Sequence, residues 1–259
     1  MNRLGRHRWL RWLLAGLAGC FWAVLAPYAL GQTTIDWNGM GDGTTYGDSN
    51  NWTGGNVPDS ASENARFDLP AETYDVQLQA NTTTTVNDLL VRAETITFAS
   101  DGVNSAMYTV TDTFSFTGNL FNLSDAGGAG DVLLTASDLG VGNGTVNVLD
   151  GSHLSVSNLF RVGNSAGTGF LTVSGTNGNS TFQVTGNNTH TLGRNGNMGV
   201  LTISDHSTGN SIAGTLALAD SGIPNSSGSL GVGNGSDLML GNLVVGPGTE
   251  TGQSATVTV

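Results

Sequence analysis

Short runs of alternating apolar and polar residues dominate the chain from Tyr74 onward. Tyr74, Val76 and Leu78 alternate with polar residues, and Ile96 and Phe98 do the same. Alternation with a period of two predicts half-buried β-strands. Further strands of this kind are predicted at residues 107–110, 114–116, 119–123, 132–135, 139–141, 146–149, 154–156, 159–162 and 170–173. No window outside the N-terminal segment predicts a long amphipathic helix, so the pattern indicates an all-β protein.

The predicted strands form a recurring unit of strand, turn and strand. Residues 159–174 contain Val-Gly-Asn, a loop of small residues and a second strand; residues 191–204 repeat this phrase, and residues 242–259 carry a looser copy. Such a unit cannot bury its apolar face alone, so its copies must stack. We therefore predict a right-handed parallel β-helix, that is, a β-solenoid. The alternative is an antiparallel β-sandwich, which Asn143-Gly144 and Asn234-Gly235 would suit as hairpin turns.

A polar residue precedes many of the apolar strands. It stands at Asn87, Asn119, Asp138, Asn158, Thr215 and Asn242. The spacing between copies varies. Turn loops of different length between strands of constant length would produce this variation. The recurrence of Asn predicts a ladder of side-chain amides along one corner of the solenoid, each bonded to the coil above and below.

Residues 1–31 have the features of a signal peptide. Four arginines precede an apolar stretch, and Ala29 and Gly31 occupy the −3 and −1 positions for cleavage before Gln32. Two alternatives are a retained membrane anchor and an outer-membrane lipoprotein, since residues 17–20 resemble a lipobox that would lipidate Cys20. We expect export to the cell surface or medium, with no membrane span and no cysteine in the mature chain.

Composition narrows the range of partners. The 259-residue chain has a formal net charge of −12, and its eight basic residues are all arginine. An acidic surface without lysine argues against nucleic acid and anionic membranes as partners. The expected partners are glycans, extracellular matrix or other copies of the chain.

Residues 32–75 form a distinct opening module before the repeats at 76–259. Its aromatic residues Trp37, Tyr46 and Trp52 are interpreted as a cap over the open end of the solenoid, or alternatively as a glycan-stacking platform. Asp36, Asp42 and Asp48 lack the alternating carboxylates and distal Glu of a calcium loop. No metal site is predicted here.

The opening module and the repeat phrase together resemble a known group. Residues 37–58 look like the start of large bacterial exported β-helix proteins, and residues 162–173 resemble their autotransporter-associated β-strand repeats, found also in planctomycete and PEP-CTERM-type surface proteins. The resemblance implies a large surface or secreted protein, of a group whose role is often unknown or adhesive. This sequence departs from the group by ending at Val259 inside a predicted strand, without a barrel, sorting tail or dockerin-like repeat. We therefore expect the solenoid to be truncated at its C-terminus.

The sequence contains no clear grouping of residues that is typical of an enzyme. A lyase needs a cationic base and a group that neutralises the uronate carboxylate, tasks usually given to Lys, Arg or calcium held by clustered Asp. The arginines available for this are far apart in sequence, at Arg66, Arg92, Arg161 and Arg194. A hydrolase needs two carboxylates across the scissile bond, and the candidates are Asp131, Asp138 and Asp150. His153, His190 and His206 lack metal-ligand spacing, and the glycine-rich residues 140–144 and 231–235 have no helix or lysine behind them for phosphate.

We therefore predict no catalytic residue and no cofactor. The predicted function is an exported structural or adhesive module of the cell surface. The alternatives are a carbohydrate-active enzyme, either polysaccharide lyase or hydrolase, and a carbohydrate-binding module on a β-helix.

Overall fold

The computed structural model describes residues 32–69, 72–102, 104–124, 130–164, 167–219, 224–246 and 252–259. The predicted signal peptide, with Cys20, lies outside the described residues. In the described part, helix is limited to two short 3-10 turns, Ser49–Asn51 and Thr53–Gly55. None of the helices in these ranges is long and apolar enough to cross a membrane.

Nineteen strands account for most of the described residues. In chain order they are β1 (Thr33–Asp36), β2 (Glu63–Phe67), β3 (Thr73–Leu78), β4 (Thr83–Val86), β5 (Leu89–Val91), β6 (Thr95–Ser100), β7 (Ala106–Phe116), β8 (Leu120–Leu123), β9 (Val132–Val141), β10 (Gly144–Val148), β11 (His153–Val162), β12 (Thr168–Ser174), β13 (Thr181–Val184), β14 (Thr189–Leu192), β15 (Met198–Ser204), β16 (Ser211–Leu218), β17 (Ser227–Val232), β18 (Met239–Val245) and β19 (Ser254–Thr258).

The strands stack in parallel as a β-solenoid of about eight turns. One sheet, here called face C, has eight strands in the order β19-β17-β15-β12-β10-β8-β6-β3. The other sheet has eleven strands, and its long members are interrupted by register shifts such as that between Val156 and Leu159. Pairings between the named strands are parallel throughout, which confirms the solenoid over the antiparallel sandwich.

The register shifts divide the larger sheet into two faces. Face A contains β4, β13 and the first halves of β7, β9, β11, β16 and β18. Face B contains β1, β2, β5, β14 and the second halves of the same long strands. Each full coil therefore runs through A, B and C in turn. Side chains that form hydrogen bonds between neighbouring coils are 20 to 30 residues apart in sequence. This separation varies because the loops between the strands differ in length.

The interior is one continuous column of apolar side chains. On face C, Leu171 lies between Val146 and Leu201 in register, and all three are fully buried. The core runs in the same way from Ile35 to Leu230. In the last coil described, Val245 and Val257 are 50% and 39% exposed, because no further described coil covers them.

The opening module covers the first coil. β1 pairs with β2 on face B, and Tyr46 N–H donates to the Gln77 carbonyl of β3 on face C over 3.0 Å. β2 and β3 already pair with the solenoid strands β5 and β6. Stacking thus begins before residue 76, and the predicted boundary between residues 75 and 76 falls inside β3.

Candidate functional site

The aromatic residues of the opening module are part of the core. Trp37, Tyr46 and Trp52 are only 1%, 3% and 1% exposed. Their rings meet edge to face, with centroids 5.0 Å apart for Trp37–Trp52 and 4.9 Å for Tyr46–Trp52. Rings packed against one another in the interior offer no face to a sugar. The arrangement fits the predicted cap and does not fit the glycan-stacking platform.

Hydrogen bonds lock this cap in place. The Trp52 indole N–H donates to the Tyr46 carbonyl over 2.7 Å. The Tyr46 hydroxyl lies 2.9 Å from both the Pro58 carbonyl and the Tyr108 hydroxyl. Burial raises the pKa of both tyrosines above the usual value of 10.0. These hydroxyls therefore stay neutral and serve structure.

The acidic residues of the module hold the backbone of its loop. Asp42 accepts from the Thr44 and Thr45 N–H groups, and hydrogen bonding from Thr45 lowers its pKa. Asp48 accepts from the Asn50 N–H, and Asp36 pairs with Arg66. In the part of the chain that the structure describes, no three His, Cys, Asp or Glu side chains are grouped to hold a metal ion.

The carboxylates considered for hydrolysis lie at two different corners of the coil. Asp138, between faces A and B, accepts from the Asn158 amide over 2.6 Å. Asp150, between faces C and A, accepts from Ser124 over 2.6 Å and from Asn177 over 2.8 Å. Asp131 lies 4.0 Å from the His153 imidazole. Each carboxylate thus has its own structural partner or neighbour.

The histidines likewise lie apart from one another. His153 is half-buried on face A, with Nδ1 2.7 Å from the Thr181 hydroxyl. His190 is fully buried; its Nδ1 accepts from the Phe160 N–H, and its Nε2 lies 3.0 Å from the Gly186 carbonyl. His206 occupies a turn with positive φ. His190 is therefore a satisfied core residue.

The predicted ladder of side-chain amides exists at the corner between faces A and B. Asn188 donates to Asn158 over 2.7 Å, and Asn158 donates to Asp138. Asn119 is an exception, because it precedes β8 at the corner between faces B and C. A second ladder was not predicted: on face C, the Asn147 amide donates to Asn122 over 3.0 Å.

The four arginines of the described chain fall into two pairs. Arg66 and Arg92 form ion pairs with Asp36 and Asp68 near the N-terminal end. Arg161 and Arg194, far apart in sequence, line the same depression on face B. Its volume is about 260 Å³. We call this site the arginine depression; its lining residues are Arg161, Thr189, Thr191, Arg194, Ala217, Ala219, Val244 and Gly246.

The register of face B explains why a depression forms there. Arg161 lies opposite Thr191, which lies opposite Ala217 in the next coil. Side-chain size therefore falls abruptly along this outward row. The Arg194 N–H donates to the Gly163 carbonyl over 2.9 Å, which fixes its turn beside the end of β11.

The electrostatics of the depression favour a negatively charged occupant. Burial, and then the charge of Arg194, lower the pKa of Arg161, while Asp138 opposes this. The Thr191 hydroxyl oxygen is buried without a hydrogen-bond partner. Two cations and an unpaired Thr191 hydroxyl thus belong to the lining of one depression in an acidic protein.

No family model, curated protein or solved structure matches the chain. What the depression can bind therefore follows from its own residues.

Sequence reasoning missed this pair because it judged the arginines by their separation along the chain. A signal was present in the repeat itself. Aligning Gly163 with Gly193 places Arg161 two residues before the turn glycine in one coil and Arg194 just after it in the next. In a parallel stack, positions equivalent in the repeat are neighbours in space.

Proposed function

We propose that this chain is an exported structural or adhesive module of the cell surface, which holds a ligand along its outer faces without converting it. The observation that supports this most is the polar outward row of face C. Successive coils present one polar side chain each at equivalent positions, namely Thr97, Asn122, Asn147, Thr172 and Thr202.

This row has the properties of a binding surface for a polymer. Parallel strands are spaced about 4.8 Å apart, so the row repeats hydroxyl and amide groups at that interval. Asn147 donates to Asn122, and Asn122 donates to Thr97 over 3.4 Å, which orients the amides along the row. A regular array of donors and acceptors on a rigid support suits the hydroxyls of an extended glycan.

The N-terminal sequence supports export. If the signal peptide is cleaved after Gly31, the protein isolated from its natural host begins at Gln32 and carries no lipid. Intact-mass measurement and N-terminal sequencing test this. A chain that starts at an acylated Cys20 would instead establish the lipoprotein alternative.

A binding screen of the purified protein tests the adhesive function. The panel contains neutral and acidic glycans and matrix proteins, and each bound glycan is examined for cleavage. We expect retention of at least one glycan or matrix component without products. Retention of none, or release of shortened or unsaturated products, would contradict the proposal.

A pair of variants tests which face is used. Thr172→Trp places a bulky ring in the polar row of face C, and Thr135→Trp places the same ring on the outward row of face A. We expect the first to weaken retention of a polymer and the second to leave it unchanged. Retention by Thr172→Trp as strong as that by Thr135→Trp and the parent would exclude the face C row as the binding surface.

A further inference from the structure

Two arginine side chains from neighbouring coils line the arginine depression. Arg161 lies near the end of β11, and Arg194 follows β14 in the next coil. The Gly193 N–H donates to the Val162 carbonyl over 2.8 Å, and the Arg194 N–H donates to the Gly163 carbonyl. Rigid ladder bonds thus fix both attachment points, and the mutual repulsion of the cations is built into the fold.

The surroundings of Arg161 differ from those of Arg66 and Arg92. No described carboxylate forms an ion pair with the Arg161 guanidinium. Among the described residues of the two outward rows of face B, from β7 to β18, Asp138 is the sole carboxylate. The other members of these rows are Thr113, Leu159, Thr189, Thr215, Asn242, Ser115, Gly140, Arg161, Thr191, Ala217 and Val244.

A buried hydroxyl without a hydrogen-bond partner lies in the lining of the same depression. Thr191 is only 8% exposed, and its Oγ1 has no hydrogen-bond partner. A buried hydroxyl without a partner costs free energy, and native structures rarely leave one so. Thr191 lies between the Arg161 position and Ala217 in the row and lines the arginine depression.

We infer that the arginine depression binds a single carboxylate or sulfate group carried by a glycan. The planar guanidinium donates in pairs to either oxyanion, and Thr191 supplies a further donor. A densely charged polyanion is disfavoured by the net charge of −12, so the ligand is a sparsely charged chain with one anionic group at the site. The volume of about 260 Å³ suits such a group on one sugar ring. The inference rests on the proposed adhesive function and names its ligand class.

Calorimetric titration of the purified protein tests the inference. The probes are an oligosaccharide with one uronate, its sulfated counterpart, the neutral parent sugar, inorganic sulfate, an acidic peptide and a single-stranded oligonucleotide. The variants are Arg161→Gln, Arg194→Gln and Thr191→Val, with Arg92→Gln as a control that removes the same charge elsewhere. Thermal unfolding of each variant establishes whether it is folded. If an arginine variant does not fold, the near-isosteric Thr191→Val variant still tests the site.

We expect a charged oligosaccharide to bind and the neutral parent to bind at least about tenfold more weakly. Arg161→Gln and Arg194→Gln should each lower the affinity by about tenfold or more, the range for lost hydrogen bonds to a charged group. Thr191→Val should lower it less, and Arg92→Gln should not change it. The uronate and sulfate arms identify which oxyanion is preferred, and inorganic sulfate should compete with both.

Several results would overturn the inference. Unchanged binding by both arginine variants would do so, as would equal binding of the neutral parent. In that second case the glycan still binds, so the adhesive function survives while the anion site fails. Preference for the peptide or the oligonucleotide over every charged sugar would replace the ligand class. Absence of any glycan binding, with sulfate still bound through Arg161, would contradict the adhesive function and the glycan ligand together.

Discussion

Single side chains in this solenoid have opposite roles at adjacent positions. Leu171 points inward and is fully buried between Val146 and Leu201, whereas Thr172, one residue later, points outward in the polar row of face C. The burial of β12 alternates in the same way along most of its length. Stability and surface chemistry are therefore assigned to alternate residues of each strand.

Truncation of these two neighbours should have unequal effects. Leu171→Ala leaves a cavity in a continuous core and should lower the free energy of unfolding by about 2 to 5 kcal/mol. Thr172→Ala should lower it by less than about 1 kcal/mol, since surface substitutions have small effects. Urea unfolding monitored by circular dichroism measures both. Equal effects would mean that the inward and outward assignment of β12 is wrong.

The turns that join strands depend on glycine at a few positions. Gly193 has a φ of +77°, and a Cβ there would overlap the Ser227 carbonyl oxygen of the next coil. A Cβ added at Gly231 on β17 would instead meet open space. The glycine of the repeat phrase is thus required by close stacking of coils as well as by backbone conformation.

Alanine substitutions at a constrained and an unconstrained glycine test these requirements together. Gly193→Ala should lower the free energy of unfolding by more than about 1 kcal/mol, because strain at positive φ alone costs that much. Gly231→Ala should leave it within about 1 kcal/mol of the parent or raise it. The midpoint of urea unfolding is the readout. A Gly193→Ala protein as stable as the parent would contradict the turn geometry.

At the scale of elements, the cap closes the first coil with buried tyrosines. Burial raises the pKa of Tyr46 and Tyr108 above 10.0, and it does the same for the largely buried Tyr74, where Glu72 adds to the effect. In the unfolded chain these hydroxyls ionise near pH 10, while the folded cap keeps them neutral. The unfolded state then binds fewer protons than the folded one, so stability falls as the pH rises above about 10.

This gives a prediction about alkaline unfolding. The parent should lose stability between about pH 10 and 12, and the Tyr46→Phe, Tyr108→Phe double variant should lose less over that interval. Tyr74 remains in the variant and keeps part of the slope. Urea midpoints measured at fixed pH values provide the comparison. The same slope in parent and variant would show that the two hydroxyls are not the titrating groups.

The sequence predicted the repeating strands better than it predicted which residues of different coils are neighbours in space. The alternation around Leu171 identified strands and their inward faces. The polar residue before each strand predicted an amide ladder that includes Asn158, although its partner Asn188 was not among the residues named. It did not identify the meeting of Arg161 and Arg194, because coil lengths vary from 20 to 30 residues and the loops set the register. Asn119 was assigned to the wrong corner for the same reason.

Stacking of the coils aligns outward side chains that are far apart in sequence into long rows on the surface. Face C carries the polar row from Thr97 to Thr202, and face B carries the arginine depression with its two cations. Both features need several coils to exist, so no single repeat could supply them. This supports a protein that works as a surface, with a charged site at one point of an extended scaffold.

We propose that the surface of this protein holds a glycan and leaves it intact. The most direct test incubates the purified protein with a sparsely uronated polysaccharide, recovers the bound and free polymer, and measures chain length and unsaturated ends by chromatography and absorbance. We predict a bound fraction that Arg161→Gln reduces and Arg92→Gln does not, with a length distribution identical to that of the input. Shortened chains or unsaturated ends, abolished by Arg161→Gln, would show instead that the arginine depression belongs to a polysaccharide-cleaving enzyme.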